Sequence, residues 1–288
     1  MDRQPTRAQW REFAARRRRT PRPGAGSEHR RLPEFGLEGY ADLIGRVRDA
    51  GYLFAPAGEM RSEVRRRTFY LRHDIDLHLL HVDRMAEVEA GLGARATYYV
   101  ALTQQYNVLS AENVAILHRL VALGHQVGLH YDLVCYPSDP DAALERLDWE
   151  VGVLARCCGA EVSSICMHQP HTGLENLFAI GGRYLNPHDP RLARGLVYVS
   201  DSCRAWRDET LLRCLGSDPP DRVMLNTHPE LWLDASILER ERYLDGVVMP
   251  NATRQASLYL DGTVRELWRN HAGGRVHDAR VLGARERA

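Results

Sequence analysis

The sequence predicts an α/β fold on a parallel sheet, closed or nearly closed into a barrel, on three observations. Short β-forming runs alternate with amphipathic helical segments from Leu37 onward. Those runs repeatedly end in polar residues, where α/β folds gather their chemistry. The chain has 288 residues, 44% of them hydrophobic, enough for one large domain of this kind.

Taken in order, residues 1–31 are rich in Arg, Pro and Gly, with Arg16-Arg17-Arg18-Arg19 and Pro21-Arg22-Pro23-Gly24. They read as a flexible arm with one short helix over Ala8–Ala15. Acids at Asp2, Glu12 and Glu28 argue against a nucleic-acid arm or a transit peptide. Leu37, Tyr40, Leu43, Ile44 and Val47 then fall on one helical face, and Gly51 is placed to end that helix. A strand over Thr68–Arg72, a helix near Leu79–Ala90 and a strand over Ala96–Ala101 follow. Ser110 opens the next helix and Gly124 closes it. The strand Gln126–Leu129 leads into His130. Pro140 sits in the first turn of a long helix whose apolar stripe is Leu144, Leu147, Val151 and Leu154. Val162–Met167, Leu196–Val199 and Arg222–Asn226 are the remaining strands, and Ser257–Trp268 reads as helix. The expected organisation is therefore the arm, then one domain over 32–288 with a helical C-terminal extension.

Composition removes several function classes. Formal net charge is zero, so no global field favours nucleic acid or an anionic membrane. All 38 basic residues are arginine. No phosphate-loop lysine, Schiff-base lysine or serine–lysine dyad is available. The six cysteines show no Cys-x-x-Cys spacing and read as reduced thiols. With no membrane-length apolar run and no hydrophobic signal core, the expected location is cytoplasmic.

Leu71-Arg72-His73-Asp74-Ile75-Asp76 carries the strongest signal. A β-run delivers two carboxylates two residues apart, so both point to one side of an extended chain. That suits one carboxylate binding a metal and another handling a proton beside it. A helix-capping Asp would need one acid and would explain neither His73 nor the second carboxylate. His73 is a candidate partner for a carboxylate. His130 ends a strand opposite this pair, which favours a metal-ligand role, whereas His125 lies one strand-length earlier and reads as structural. In Met167-His168-Gln169-Pro170-His171 the proline argues for a turn. One imidazole would be a ligand and the other a supporting or substrate residue, with His168 favoured as nearer the strand end. His228, fixed by Pro229 after a rigid strand, suits a general acid. Asp201 and Trp206 would orient that imidazole or wall the pocket, and a turn Asp with a core Trp is an equal alternative. His78 and His81 read as surface or supporting residues.

Three motifs together carry a family resemblance: Leu-Arg-His-Asp-Ile-Asp at 71–76, Gly-His-Gln-Val-Gly-Leu-His-Tyr at 124–131, and Leu-Asn-Thr-His-Pro-Glu at 225–230. Over residues 37–235 the chain resembles the polysaccharide deacetylase superfamily, also called carbohydrate esterase family 4 or nodulation-type deacetylases. Its look is that of a branch whose first motif reads Arg-His-Asp-x-Asp. The resemblance implies a distorted (β/α)7 barrel and one divalent metal, often zinc. By position it makes Asp74 the general base, Asp76 a metal ligand, His130 the first histidine ligand and His228 the general acid. One departure stands out: the family's second histidine ligand, four residues after the first, is Val134 here. The third ligand must come from elsewhere, be water, or be absent. His168 fills the gap best, standing where the family places an Arg-x-Pro motif.

The expected activity is metal-dependent removal of an N-acetyl or other N-acyl group from an amino sugar or a sugar-containing small molecule. A non-sugar amide or cyclic ureide would use the same residues. A degenerate-site carbohydrate-binding protein is the reading from another class. A His-Asp phosphohydrolase ranks last, because such pairs sit on helices. The partner expected is the small-molecule substrate, with no nucleic acid and no membrane.

Overall fold

The computed structural model describes residues 32–64, 66–170, 178, 182–202, 206, 209–233, 245, 249–250 and 253–254. The expected arm over 1–31 and the expected helix over 257–268 lie outside them. Almost all described residues belong to one unit ending at Ala235, and a second unit begins at Ser236. Among the described residues, no helix is long and apolar enough to cross a membrane.

Among the described residues, seven parallel strands form the sheet: β1 Leu53–Pro56, β2 Thr68–Ile75, β3 Thr97–Val100, β4 Gln126–Tyr131, β5 Ile165–Met167, β6 Val197–Ser200 and β7 Arg222–Thr227. Their order is β5-β4-β3-β2-β7-β6, with β1 paired to β2. Strand β2 is central. It pairs with β7 from Thr68 to His73 along one edge, while β1 takes Thr68–Leu71 and β3 takes Arg72–Ile75 along the other. The parallel sheet curls into a half-barrel, open between the terminal strands β5 and β6. This is a distorted (β/α) barrel, as expected.

The helices are α1 Leu37–Asp49, α2 Val82–Leu92, α3 Ala111–Ala122, α4 Pro140–Cys158, and the short α5 Pro190–Ala193, α6 Thr210–Cys214 and α7 Glu230–Leu233. Their boundaries have local causes. Ser110 accepts the Asn113 N–H and Asp139 accepts the Ala142 N–H, satisfying first-turn donors of α3 and α4. Gly93, at φ 80°, ends α2 in the left-handed region. Apolar faces of α1 to α4 and the outward side chains of the strands merge into one core containing Tyr40, Ile44, Phe69, Leu71, Val88, Leu117, Leu129 and Leu154.

Five expectations change. Leu144 lies at the margin of the α4 stripe and is 46% exposed, whereas its neighbour Ala143 is buried. Helix α2 begins at Val82, after His81 at φ 64°, instead of near Leu79. His78 therefore belongs to the connecting turn, where it is buried instead of lying on a surface helix. Strand β1 was not expected: four residues ending in proline give too short a pattern to read. Strand β5 starts at Ile165, three residues later than expected.

Candidate metal centre and acid–base pair

Alternation along β2 divides its chemistry between two faces. Arg72 and Asp74 point into the half-barrel, and Asp76 follows just past the strand end. His73 points the other way. It is fully buried, its Nε2 donating to Glu89 Oε1 at 2.7 Å and its Nδ1 lying 2.6 Å from Thr227 Oγ1. The hydroxyls of Tyr40 and Tyr98 also donate to Glu89. His73 does have a carboxylate partner, but that partner is Glu89 in the core and not the acid pair. His125 belongs to this same side: its Nδ1 accepts the Ala96 N–H at 3.2 Å and its Nε2 donates to the Ala86 carbonyl at 3.0 Å.

On the inward face, three atoms converge. Asp76 Oδ1 lies 3.3 Å from His130 Nε2 and 3.4 Å from His168 Nδ1, and the two nitrogens are 3.2 Å apart. Register produces the meeting: His130 on β4 pairs with Cys166 on β5, and the His168 N–H donates to the Tyr131 carbonyl just beyond. His130 Nδ1 donates to the Cys166 carbonyl at 3.1 Å, which leaves Nε2 as the ring atom facing the cluster. Asp76 Oδ1 is buried yet makes no hydrogen bond of ordinary geometry. Burial opposes its ionisation, but the imidazoles of His130 and His168, with His228 beyond, hold it well below the usual carboxylate range. Ligands bound at about 2.0–2.1 Å around a tetrahedral ion lie about 3.3 Å apart. The three observed separations match one face of such a tetrahedron, so the donor set fits a divalent cation. Asp74, His130 and Cys166 form a second, overlapping group of possible ligands, all buried. The Arg72 cation bound to Asp74 disfavours an ion there.

Asp74 is held on three sides. Arg72 Nε and Nη2 donate to its two oxygens at 2.9 and 2.7 Å, and Asn226 Nδ2 donates to Oδ2 at 3.0 Å. Burial works against its charge, but the Arg72 guanidinium outweighs this and holds the carboxyl well below the usual range. Of about four acceptor positions, three are used and one remains for a proton. Arg72 is itself fixed, its guanidinium 5.8 Å over the Tyr99 ring and its Nη1 donating to His188 Nε2 at 3.3 Å. Burial first and then the Arg72 charge push the His188 pKa down to about 3, so that ring stays neutral. Gly128 makes room for Tyr99, because a Cβ there would come within 2.5 Å of the ring.

Across the cluster, His228 Nε2 lies 3.7 Å from Asp76 Oδ2, and its Nδ1 donates to Asp201 Oδ1 at 2.7 Å. Asp201 also accepts the His228 backbone N–H, at 3.2 and 3.1 Å, and the Trp232 indole N–H at 2.6 Å. Burial disfavours the charged ring, but Asp201, with Asp74 and Asp76 beyond, raises the His228 pKa to about 10. Trp206 does not line the mouth. It stacks on Phe35 and meets Trp232 edge to face, each at 5.9 Å between ring centres, and its indole donates to the Pro33 carbonyl. It packs behind Asp201 through Trp232. His171 lies outside the described residues. Val134 is 73% exposed in a turn beyond β4.

Sequence reasoning passed over Arg72, Asn226, His188 and Glu230. For Arg72 the signal existed: the two-residue spacing that joins Asp74 to Asp76 joins Arg72 to Asp74.

No family model matches the chain, and no curated protein matches it. Among solved structures, it is similar to the Xyl-CE4 domain of a multidomain xylanase from the hindgut metagenome of Trinervitermes trinervoides. That match has 12% identity, 65% of this chain and 85% of the other covered, and a TM-score of 0.41. The peptidoglycan deacetylase PdaC from Bacillus subtilis matches at 13% identity, 71% and 98% coverage, and a TM-score of 0.40. The chitin deacetylase of Colletotrichum lindemuthianum matches at 12% identity, 70% and 87% coverage, and a TM-score of 0.40. At this level the likeness carries no functional weight, which falls on the side chains.

Proposed function

We propose that the protein is a metal-dependent hydrolase that removes an N-acyl group, most simply an N-acetyl group from an amino sugar. The observation that carries the reading is the three-atom cluster of Asp76 Oδ1, His130 Nε2 and His168 Nδ1, flanked by Asp74 on one side and the His228–Asp201 pair on the other. Asp76, His130 and His168 would hold one divalent ion, zinc by the chemistry of a one-carboxylate, two-imidazole set. Bound there, the ion would polarise the acyl carbonyl and lower the pKa of water.

The chain's own residues handle the protons. Asp74, kept ionised by Arg72, takes the proton of the attacking water at its remaining acceptor position. His228 is held protonated by Asp201, with Nε2 directed at the cluster, so it can give that proton to the departing amine. Amines leave poorly unless protonated, and a loaded acid at neutral pH removes that obstacle. Asp74 follows His73 on β2 and His228 follows Thr227 at the end of β7, and His73 and Thr227 are paired in register, so the backbone sets the separation of the two groups.

The test is metal analysis of the purified protein together with a screen for acetate release from N-acetylated sugars and nucleotide sugars. Cyclic ureides and non-sugar amides belong in the same screen. A metal-free protein that binds sugars without turning them over would refute the reading.

A further inference from the structure

Strand β2 ends at Ile75, and the next two backbone N–H groups, of Asp76 and Leu77, have no strand to donate to. Both donate instead to a single atom, Glu230 Oε1, at 3.0 and 3.2 Å. Glu230 is 2% exposed and stands in the first turn of α7, two residues after His228. Its other oxygen, Oε2, is buried and makes no hydrogen bond. Burying a carboxyl group with one oxygen unsatisfied is costly, and folding alone is served as well by an apolar residue in such a place. Residues that break a local rule without a packing return mark functional sites.

What the contact does is geometric. Two successive N–H groups aimed at one acceptor force the chain to bend at Asp76. The bend sets the direction in which the Asp76 side chain leaves the backbone, toward His130 and His168. The same turn that carries His228 thus fixes the carboxylate of the three-atom cluster. Asp201, which binds the His228 N–H and the Trp232 indole, braces that turn from behind.

We propose that Glu230 is a positioning residue for Asp76 that sets the affinity of the site for its cation, an inference that rests on Asp76 being a metal ligand. Supporting residues of this kind change metal affinity by about 10- to 100-fold when removed. The test uses the full chain, stripped of metal, and Zn2+ alone, with affinity read by competition against a chromophoric chelator. Glu230→Ala is expected to weaken Zn2+ binding about 10- to 100-fold. Glu230→Gln retains a carbonyl oxygen for the same two N–H groups and is expected to stay within about threefold of the parent protein. Glu230→Leu fills the volume without an acceptor and serves if the alanine variant does not fold. Thermal unfolding of the metal-free proteins separates a folding defect from an affinity defect. Parent-like Zn2+ affinity in a folded Glu230→Ala or Glu230→Leu variant overturns the proposal, as does a Glu230→Gln variant as weak as alanine. Failure of the underlying reading looks different: the parent protein and Asp76→Ala would then bind Zn2+ equally poorly.

Discussion

Replacing Glu89 with alanine is expected to cost about 3 kcal/mol of stability while touching none of the inward-facing residues. Glu89 is fully buried and accepts hydrogen bonds from His73, Tyr40 and Tyr98. Three donors left without an acceptor cost about 1–3 kcal/mol each, which sets a floor near 3 kcal/mol. A second route gives the same figure. Burial raises the Glu89 pKa, but His73, His125 and Tyr40 outweigh it and bring it from 4.5 to about 2, which corresponds to about 3 kcal/mol. Because the folded-state value is depressed, this contribution is complete above pH 4.5 and fades as pH falls through about 2. Urea denaturation of the parent and Glu89→Ala proteins, at pH 7 and at a series of acidic values, is the assay. The difference should be full at neutral pH and shrink below 4.5. A difference under about 1 kcal/mol at pH 7, or one that does not shrink in acid, would refute the assignment of Glu89 as an ionised hub.

Asp74→Asn is expected to keep the metal content of the parent and to lose turnover by about 100- to 10,000-fold, read by metal analysis beside acetate release. Arg72→Met leaves Asp74 buried without its bidentate partner and should destabilise the protein by about 3–5 kcal/mol in the same denaturation assay. In Asp201→Asn the carboxylate that raises the His228 pKa to about 10 is gone, so the alkaline limb of the kcat–pH profile should move down toward the ordinary 6.5. An unmoved limb would show that His228 is not the group titrating there.

Much of this architecture follows from local rules. The alternation of strands and helices gives the sheet, and strand ends give the positions of Asp74, His130, His168, Asp201 and His228. The same two-residue period also contains what was passed over: it places Arg72 with the acids and His73 against them. Glu89 was legible too, since it occupies an apolar-stripe position of α2 with Val82, Met85, Ala86 and Val88. A carboxylate on a buried stripe requires partners across the core, and the imidazole at position 73 is one. Other features were out of reach. Two strands sharing one edge of β2 is a tertiary arrangement with no periodic signature. Glu230 reads as a helix-start acid from sequence, because nothing local reveals that the chain after Ile75 returns its N–H groups to it.

In the proposed site His168 stands in for the histidine that the resemblance leads one to expect at position 134, and that placement has a mechanical meaning. A ligand four residues after His130 would stand in the turn Leu133–Cys135, where Val134 is open to solvent. Its placement would depend on the conformation of that turn. His168 is instead tied by its own backbone N–H, 2.8 Å from the Tyr131 carbonyl, to the strand that carries His130. The two imidazoles thus come from β4 and from the first residue after the neighbouring β5, and Asp76 is the first residue after β2, its N–H bonded to Glu230. Side chains on strands hold a constellation more tightly than side chains on loops. On this reading the departure at 134 does not subtract a ligand; it moves one from an exposed turn to the first residue after β5, tied back to β4. His168→Ala should therefore abolish stoichiometric Zn2+ binding, and Val134→Ala should leave it unchanged. Both are measured by metal content after dialysis, and retained zinc in His168→Ala would return the missing ligand to some other residue.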